Sequence, residues 1–187
     1  ELVKMADAVP VFVQTSEEKG YTVDFAALKK AINEKTKAIL INTPSNPSGA
    51  VLSEKDVREI AQIAEEHDLM LISDEIYDCL VYDGEKHFSP MQISDEIRER
   101  TILINGMSKA YSMTGWRMGY SVSNEKIAKI IGSLQSHATG NPNTIAQYAN
   151  LAAVTRDNPE FDKMYKEFDR RRRFMVETIN NTPGISA

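Results

Sequence analysis

Short apolar segments alternate with helical segments along this chain, and that alternation constrains its fold more strongly than any other feature. Buried strands are predicted at residues 37–42 (KAILIN), 70–73 (MLIS) and 101–105 (TILIN). Between the first two, Ser53 and Asp56 form a helix-capping signature that precedes apolar residues at helical spacing. Strands that are joined through helices form parallel sheets. The sequence therefore predicts an α/β fold with a mostly parallel sheet flanked by helices.

The other segments are assigned from the same periodicity and from capping residues. Two more strands are predicted at residues 9–13 and 118–122, the second after a turn at Gly115. Four more helices are predicted: one capped by Asp24, one capped by Asn124, one over residues 144–154 and a long last one that begins at Asn158. No internal repeat, low-complexity stretch or linker marks a domain boundary within the chain.

The charge balance argues against nucleic acid as a partner. The chain has 22 basic and 27 acidic side chains and a net charge of -5, whereas binding to phosphates requires clustered Lys and Arg. Its one basic run, residues 170–173, lies among acidic residues and is interpreted as the solvated face of a charged helix. No apolar run approaches the roughly 20 residues that cross a bilayer, so no membrane partner is expected.

The single cysteine and the three histidines point to neither a disulfide nor a metal site. Cys79 is alone, so it forms no internal disulfide, and a reducing, cytoplasmic location fits this usage best. The three histidines, His67, His87 and His137, lack the spacing of metal ligands. We expect them to have surface or structural roles.

A lysine follows directly after the third predicted strand. Lys109 lies in residues 106–119 (GMSKAYSMTGWRMG), where it reaches the carboxyl edge of the sheet, the edge at which open parallel sheets bind ligands. Arg117 lies eight residues later, between Gly115 and Gly119, which allow the backbone to turn tightly and approach an anion. Taken alone, each would more often be a surface lysine and a structural arginine.

A stiff polar loop follows the first predicted strand. Residues 42–49 (NTPSNPSG) contain Pro44 and Pro47, which restrict the backbone on both sides of Asn46. Such a loop can hold a side chain against a ligand. An isolated Asn-Pro pair would be an ordinary polar turn.

A carboxylate and a tyrosine follow the second predicted strand. In residues 73–77 (SDEIY), Asp74 and Tyr77 face the same cleft if a helix starts there. In the absence of the other two motifs, Asp74 would more often be a helix N-cap.

The three motifs together resemble those of class I and II aminotransferases, in the fold type I group of pyridoxal phosphate enzymes. They occur in the order of that family, Asp74 and Lys109 are 35 residues apart (109 − 74), and the resemblance covers essentially the whole chain. The SKAYSMTGWRMGY stretch is most similar to the bacterial aspartate and aromatic aminotransferases. The resemblance implies that Lys109 binds pyridoxal 5'-phosphate as an imine, that Arg117 holds its phosphate and that Ser108 donates a further bond there.

The resemblance also implies roles for the other two motifs. Asn46 and Tyr77 are expected beside the 3' oxygen of the cofactor ring, and Asp74 is expected to pair with the pyridine nitrogen and keep it protonated. The catalytic residues would be Lys109, Asp74 and Tyr77. The bond between Asn46 and Pro47 tends to be cis in this family, and cis bonds at proline are uncommon enough to be informative.

The implied activity is transfer of an amino group from an amino acid of aspartate or aromatic type to a 2-oxo acid, by an enzyme that is generally a homodimer. A lyase or synthase on the same scaffold stays open, because these motifs position the cofactor without choosing which bond is broken. A non-catalytic binding or regulatory module is the other alternative, and the joint presence of Lys109, Asp74 and Arg117 argues against it.

The resemblance further implies that residues 1–187 are a partial cofactor-binding large domain. An N-terminal segment with the phosphate loop and the aromatic residue that stacks on the ring is expected upstream. A small C-terminal domain with a carboxylate-binding arginine is expected downstream. We therefore expect this chain alone to have little or no aminotransferase activity.

Overall fold

The computed structural model describes residues 1–187, which fold around one four-stranded sheet. The strands lie side by side in chain order: β1 (Ala38–Asn42), β2 (Met70–Asp74), β3 (Thr101–Gly106) and β4 (Gly119–Val122). The first three are parallel, and β4 runs antiparallel to β3. The predicted α/β fold with a mostly parallel sheet is confirmed.

Seven α-helices surround or extend from this sheet. They are α1 (Leu2–Met5), α2 (Phe25–Ala31), α3 (Glu54–Glu66), α4 (Asp95–Glu99), α5 (Glu125–Ala138), α6 (Thr144–Thr155) and α7 (Pro159–Asn180). Short 3-10 helices cover Glu17–Lys19, Pro90–Gln92 and Thr114–Trp116. None of the helices is both long enough and apolar enough to cross a membrane.

Capping contacts confirm three of the predicted helix starts. The side chains of Ser53 and Asp56 each bond the other's backbone N–H at the start of α3, which is the reciprocal pattern of a capping box. Asp24 caps α2 and Asn124 caps α5, each by accepting a backbone N–H of the first turn. Local sequence is sufficient to place these boundaries.

The core lies between α3 and one face of the sheet. The face of α3 that carries Val57, Ile60 and Ala64 is fully buried, because these residues recur at helical spacing. Ile60 belongs to one apolar cluster with Ile39 of β1 and Leu71 of β2. The opposite face of the sheet is open in this chain, and Leu40 of β1 is 57% exposed.

Residues 9–13 form no strand, so this prediction is wrong. Val9, Val11 and Phe12 are 84%, 64% and 76% exposed. The sheet ends at β1 on one side and β4 on the other, and neither edge pairs with this segment. A short apolar run becomes a strand only where a neighbouring strand takes up its backbone hydrogen bonds.

The basic run is only partly a solvated face. Arg170 and Arg171 pair with Glu167 on the surface of α7, as expected. Arg172 and its neighbour Arg173 instead reach Asp83 in the loop after β2, at 2.8 and 2.6 Å. Two of the four arginines therefore make tertiary contacts, which fasten α7 to that loop.

Candidate active site

The carboxyl ends of the parallel strands meet at one edge of the sheet. Asn42, the last residue of β1, is in register with Asp74, the last residue of β2. The carbonyl oxygen of Asp74 accepts hydrogen bonds from the Asn42 amide and from the Thr43 backbone N–H, both at 3.1 Å. The loops after β1 and β2 therefore start in contact, which brings two of the three sequence motifs together.

The loop after β1 directs Asn46 toward the loop after β2. The Asn46 N–H donates to the Asn42 side-chain oxygen at 3.0 Å. Its Nδ2 donates to the hydroxyl of Tyr77 at 3.2 Å. The bond between Asn46 and Pro47 is cis, as expected, and the bond between Thr43 and Pro44 is cis as well.

The segment after β2 is a turn. The sequence predicts that Asp74 and Tyr77 face one cleft if a helix starts here, and no helix forms. Residues 76–79 form turns, and the Asp78 N–H donates to the Glu75 carbonyl at 3.0 Å. The Asp78 side chain accepts the Cys79 N–H at 2.7 Å, a local bond that competes with helical pairing. Asp74 is half-buried, and its Oδ1 accepts a backbone N–H two residues later at 3.2 Å.

Lys109 lies beside Tyr77 in the turn that follows β3. Its neighbours Met107 and Ala110 are buried, whereas Ser108 and Lys109 are half-buried at the edge of the sheet. The Nζ of Lys109 lies 5.7 Å from the centroid of the Tyr77 ring, within cation–π range. Tyr77 thus contacts both Asn46 and Lys109, and one small region holds residues of all three motifs.

Arg117 lies just before β4 and is exposed. It adopts the left-handed backbone conformation with a φ of 53°, so the tight turn expected at the flanking glycines falls on the arginine itself. Its Nη1 donates to the Thr114 carbonyl at 2.9 Å, and its other N–H donors make no hydrogen bond within the chain. A Cβ on Gly106 would lie 2.9 Å from the Met118 carbonyl, so the close passage of β4 at this edge requires glycine.

Sequence reasoning missed a buried polar cluster next to Asp74. Glu75 is 2% exposed, and its carboxylate accepts hydrogen bonds from the hydroxyls of Ser73 and Ser89, both at 2.8 Å. The Nε2 of His87 lies 2.8 Å from the other carboxylate oxygen, so the structural role expected for this histidine is confirmed. The burial of Glu75 could have been suspected from alternation along β2, because Ser73 and Glu75 point to the side opposite Asp74.

The side chains at this edge suit the groups of pyridoxal 5'-phosphate. Lys109 offers an amine for its aldehyde, and Asp74 offers a carboxylate for its ring nitrogen. The Asn46 amide and the Tyr77 hydroxyl are 3.2 Å apart, close enough to bond one shared oxygen such as the 3' oxygen. Arg117 has N–H donors left for a phosphate. The residues present therefore fit this cofactor.

Comparisons with known sequences agree with the geometry. The whole chain, residues 1–187, matches the family described as aminotransferase class I and II. It is 43% identical over 186 residues to an aspartate aminotransferase of Bacillus subtilis, covering 100% of this chain and 47% of that protein. It is 41% identical to a probable aspartate/prephenate aminotransferase of Aquifex aeolicus, covering 99% of this chain and 48% of that protein. The chain spans about half the length of the curated relatives it matches.

Solved structures give the same result. A Thermus thermophilus aspartate aminotransferase with maleate superposes with a TM-score of 0.87 at 40% identity, covering 96% of this chain and 46% of that one. An aromatic aminotransferase from Pyrococcus horikoshii also has a TM-score of 0.87 at 40% identity, covering 92% of this chain and 47% of that one. The fold and the sequence thus identify the same group of proteins.

Proposed function

This chain belongs to the class I and II aminotransferases, and from that premise we propose that it forms the cofactor-binding part of a pyridoxal-phosphate-dependent transaminase. The enzyme moves an amino group from an amino acid of aspartate or aromatic type to a 2-oxo acid. The observation that carries the proposal is the convergence of Asn46, Tyr77 and Lys109 at the carboxyl edge of the sheet. The choice of substrates is supported by the relatives, which are named aspartate and aromatic aminotransferases.

In the proposed reaction, pyridoxal 5'-phosphate supplies an electron sink for the negative charge that develops when the substrate loses its α proton. Lys109 would hold the cofactor through its Nζ, and once the substrate amine has taken the place of the lysine amine, the same Nζ would move the proton at the substrate α carbon as a general base and acid. Asp74 holds a proton on the ring nitrogen through its negative charge.

Four side chains hold the ring and the phosphate of the cofactor in this proposal. The Asn46 amide and the Tyr77 hydroxyl orient the ring through its 3' oxygen. Arg117 binds the phosphate, because a planar guanidinium can donate two parallel hydrogen bonds and carries a permanent charge. Ser108, half-buried beside Lys109, contributes a further hydroxyl donor to the same phosphate.

Transfer is favoured over the lyase or synthase alternative. The motifs position the cofactor in all of these enzymes, but the relatives are named aminotransferases or transaminases. A non-catalytic module is disfavoured because Lys109, Asp74 and Arg117 are all present.

We further propose that the chain works as part of the large domain of a longer protein, since it spans about half of its relatives. Open apolar faces on α5 and α6 support association into a homodimer, and they carry Ile130, Leu134, Ile145, Tyr148 and Leu151. The single cysteine supports a cytoplasmic location.

The test uses the full-length protein that contains this chain, loaded with cofactor. Borohydride reduction followed by peptide mapping should label Lys109, and aspartate or an aromatic amino acid should transaminate 2-oxoglutarate. Lys109→Arg should lose both the label and the turnover, while Lys86→Arg, in the loop after β2, serves as the matched control and should keep both. A label on another lysine, or turnover that survives Lys109→Arg, would contradict the proposal.

A further inference from the structure

The buried carboxylate of Glu75 is not used by the proposed reaction, yet it lies between two residues that are. Asp74 precedes it, and Tyr77 follows two residues later. Burying a carboxylate is costly unless hydrogen bonds compensate for the lost water. Here three donors converge on it: the hydroxyls of Ser73 and Ser89 and the ring Nε2 of His87, all at 2.8 Å.

These donors come from two separate parts of the chain. Ser73 is in β2, whereas His87 and Ser89 belong to the segment that leads to α4. The Glu75 backbone N–H also donates to the Ile104 carbonyl of β3 at 2.9 Å. Glu75 is therefore held by its side chain and its backbone at once, which leaves it little freedom to rotate.

The turn that presents Tyr77 starts at this immobilised residue. The Glu75 carbonyl accepts the Asp78 N–H at 3.0 Å, so Ile76 and Tyr77 are the two central residues of the turn. The direction of the Tyr77 side chain then follows from the orientation of Glu75. The Tyr77 hydroxyl reaches Asn46 at 3.2 Å, and its ring lies 5.7 Å from the Lys109 amine.

We infer that Glu75 is a positioning residue of the site: its carboxylate, held by His87 and two serines, fixes the turn that places Tyr77 against the cofactor. This inference rests on the proposed function. Glu75 touches neither the substrate nor the cofactor and acts through Tyr77. Loss of its hydrogen bonds should let the turn shift and weaken the contact of the Tyr77 hydroxyl.

Glu75→Gln is the sharpest perturbation because it keeps the size of the side chain. The amide oxygen can still accept from both serine hydroxyls, whereas the amide N–H₂ is a donor that faces the Nε2–H of His87, so this contact survives only if the ring moves its proton to Nδ1. The change therefore removes the negative charge and the hydrogen bond that His87 Nε2–H donates to the carboxylate, and it leaves the serine side in place. Ser73→Ala is the second variant, for the case that Glu75→Gln does not fold, because it removes a single hydroxyl donated to the same carboxylate.

The experiment is a double-mutant cycle with Tyr77→Phe in the full-length holoenzyme. Two quantities are measured: kcat/KM for transamination, and the visible absorbance spectrum of the bound cofactor with its pH midpoint in the absence of substrate. Glu75→Gln should lower kcat/KM about tenfold and shift the midpoint. In the Tyr77→Phe background the same change should lower kcat/KM less than about twofold and leave the midpoint in place, because coupled residues are not additive.

Thr101→Val is the matched control for lost stability. Thr101 is fully buried at the start of β3, the end away from the site, and it donates its hydroxyl to the Ile97 carbonyl in α4. This variant should lower the thermal midpoint without changing the cofactor spectrum. The inference would be overturned if the effects of Glu75→Gln and Tyr77→Phe were additive, or if both Glu75→Gln and Ser73→Ala had the wild-type spectrum. In either case the proposed function still stands as long as the wild-type enzyme transaminates. A wild type without cofactor binding or turnover would overturn the proposed function itself.

Discussion

The docking of α7 onto the loops after β2 and β3 can be tested at Tyr165. Its ring stacks on Tyr82 with centroids 5.0 Å apart and lies 6.3 Å from Phe161, and its hydroxyl donates to the Val81 carbonyl. Phe161 in turn lies 5.7 Å from Tyr111, two residues after the proposed cofactor lysine. One row of aromatic rings thus joins α7 to the loops after β2 and β3.

Tyr165→Ala removes several contributions at once. Each of its two aromatic pairs is worth about 0.5–1.5 kcal/mol, and the hydrogen bond to Val81 adds about 1 kcal/mol. The sum is about 2–4 kcal/mol, which lies at the low end of the range for deleting a core aromatic side chain and agrees with the half-buried position of Tyr165. Tyr165→Phe keeps both ring contacts and should cost only about 1 kcal/mol.

Hydrogen exchange followed by mass spectrometry on the full-length protein measures this docking directly. Backbone amides of α7 should exchange about a hundredfold faster in Tyr165→Ala and about fivefold faster in Tyr165→Phe, by the conversion of free energy to an opening constant. Amides of α3, whose buried face packs in the core with β1 and β2, serve as the internal control and should not change. Equal acceleration in α3, or unchanged exchange in α7, would refute the role given to this aromatic row.

Three further predictions follow from individual side chains. Asp74→Ala should keep covalent attachment of the cofactor at Lys109 but slow the half-reaction with amino acid by about a hundredfold or more in stopped-flow absorbance, and a near-normal rate would contradict its role. Partial desolvation and the adjacent Asp78 carboxylate raise the pKa of Cys79 to about 12. At pH 8 its alkylation should therefore be at least roughly a hundredfold slower in the folded protein than in urea, and equal rates would contradict the raised pKa. The hydrogen bond from Arg172 lowers the pKa of Asp83 below its ordinary 3.8, so this contact stabilises the fold above pH 3.8. The stabilisation is lost as the pH falls through the lower pKa that Asp83 has in the folded protein, and Asp83→Asn should remove this pH-dependent decrease of the thermal midpoint.

The regular elements could be predicted because their signals are local. The strand predicted at 70–73 is observed at Met70–Asp74, and the helix predicted at 144–154 is observed at Thr144–Thr155. In both cases a few adjacent residues carry the apolar pattern, and the side chain of Asn143 caps the helix. Residues 9–13 carry a similar apolar pattern, but the partner strand that would make them a β-strand is not a property of the segment.

The direction of β4 depends on the connection that precedes it. A crossover that returns to the starting edge of a parallel sheet needs a helix or an extended segment of a dozen or more residues. Residues 107–118 contain only turns and the short Thr114–Trp116 helix, so the chain stays at the carboxyl edge and enters β4 from there. The antiparallel direction therefore follows from the same loop that carries Lys109, although the sequence motif indicated only the lysine and the glycines.

Contacts distant in sequence were beyond prediction from one chain. Arg172 and Asp83 are 89 residues apart, and nothing in the basic run distinguishes the two arginines that reach this loop from the two that stay in solvent. Glu75 and His87 are 12 residues apart, and although alternation along β2 suggests that Glu75 is buried, nothing in the sequence points to His87 as its partner. Such pairs exist only after the loops have been placed by the sheet.

The central position of Tyr77 follows from strand order and from the distance of each site residue from its strand end. Asn46, Tyr77 and Lys109 lie four, three and three residues beyond the ends of β1, β2 and β3, and these strands are adjacent in that order. Neighbouring strands are about 4.8 Å apart, so the loops of β1 and β3 start roughly 10 Å from each other, with the loop of β2 between them. Only the residue on the middle loop can contact both of the others, as Tyr77 does. A residue that orients this loop, such as Glu75, can therefore affect both sides of the site without touching either.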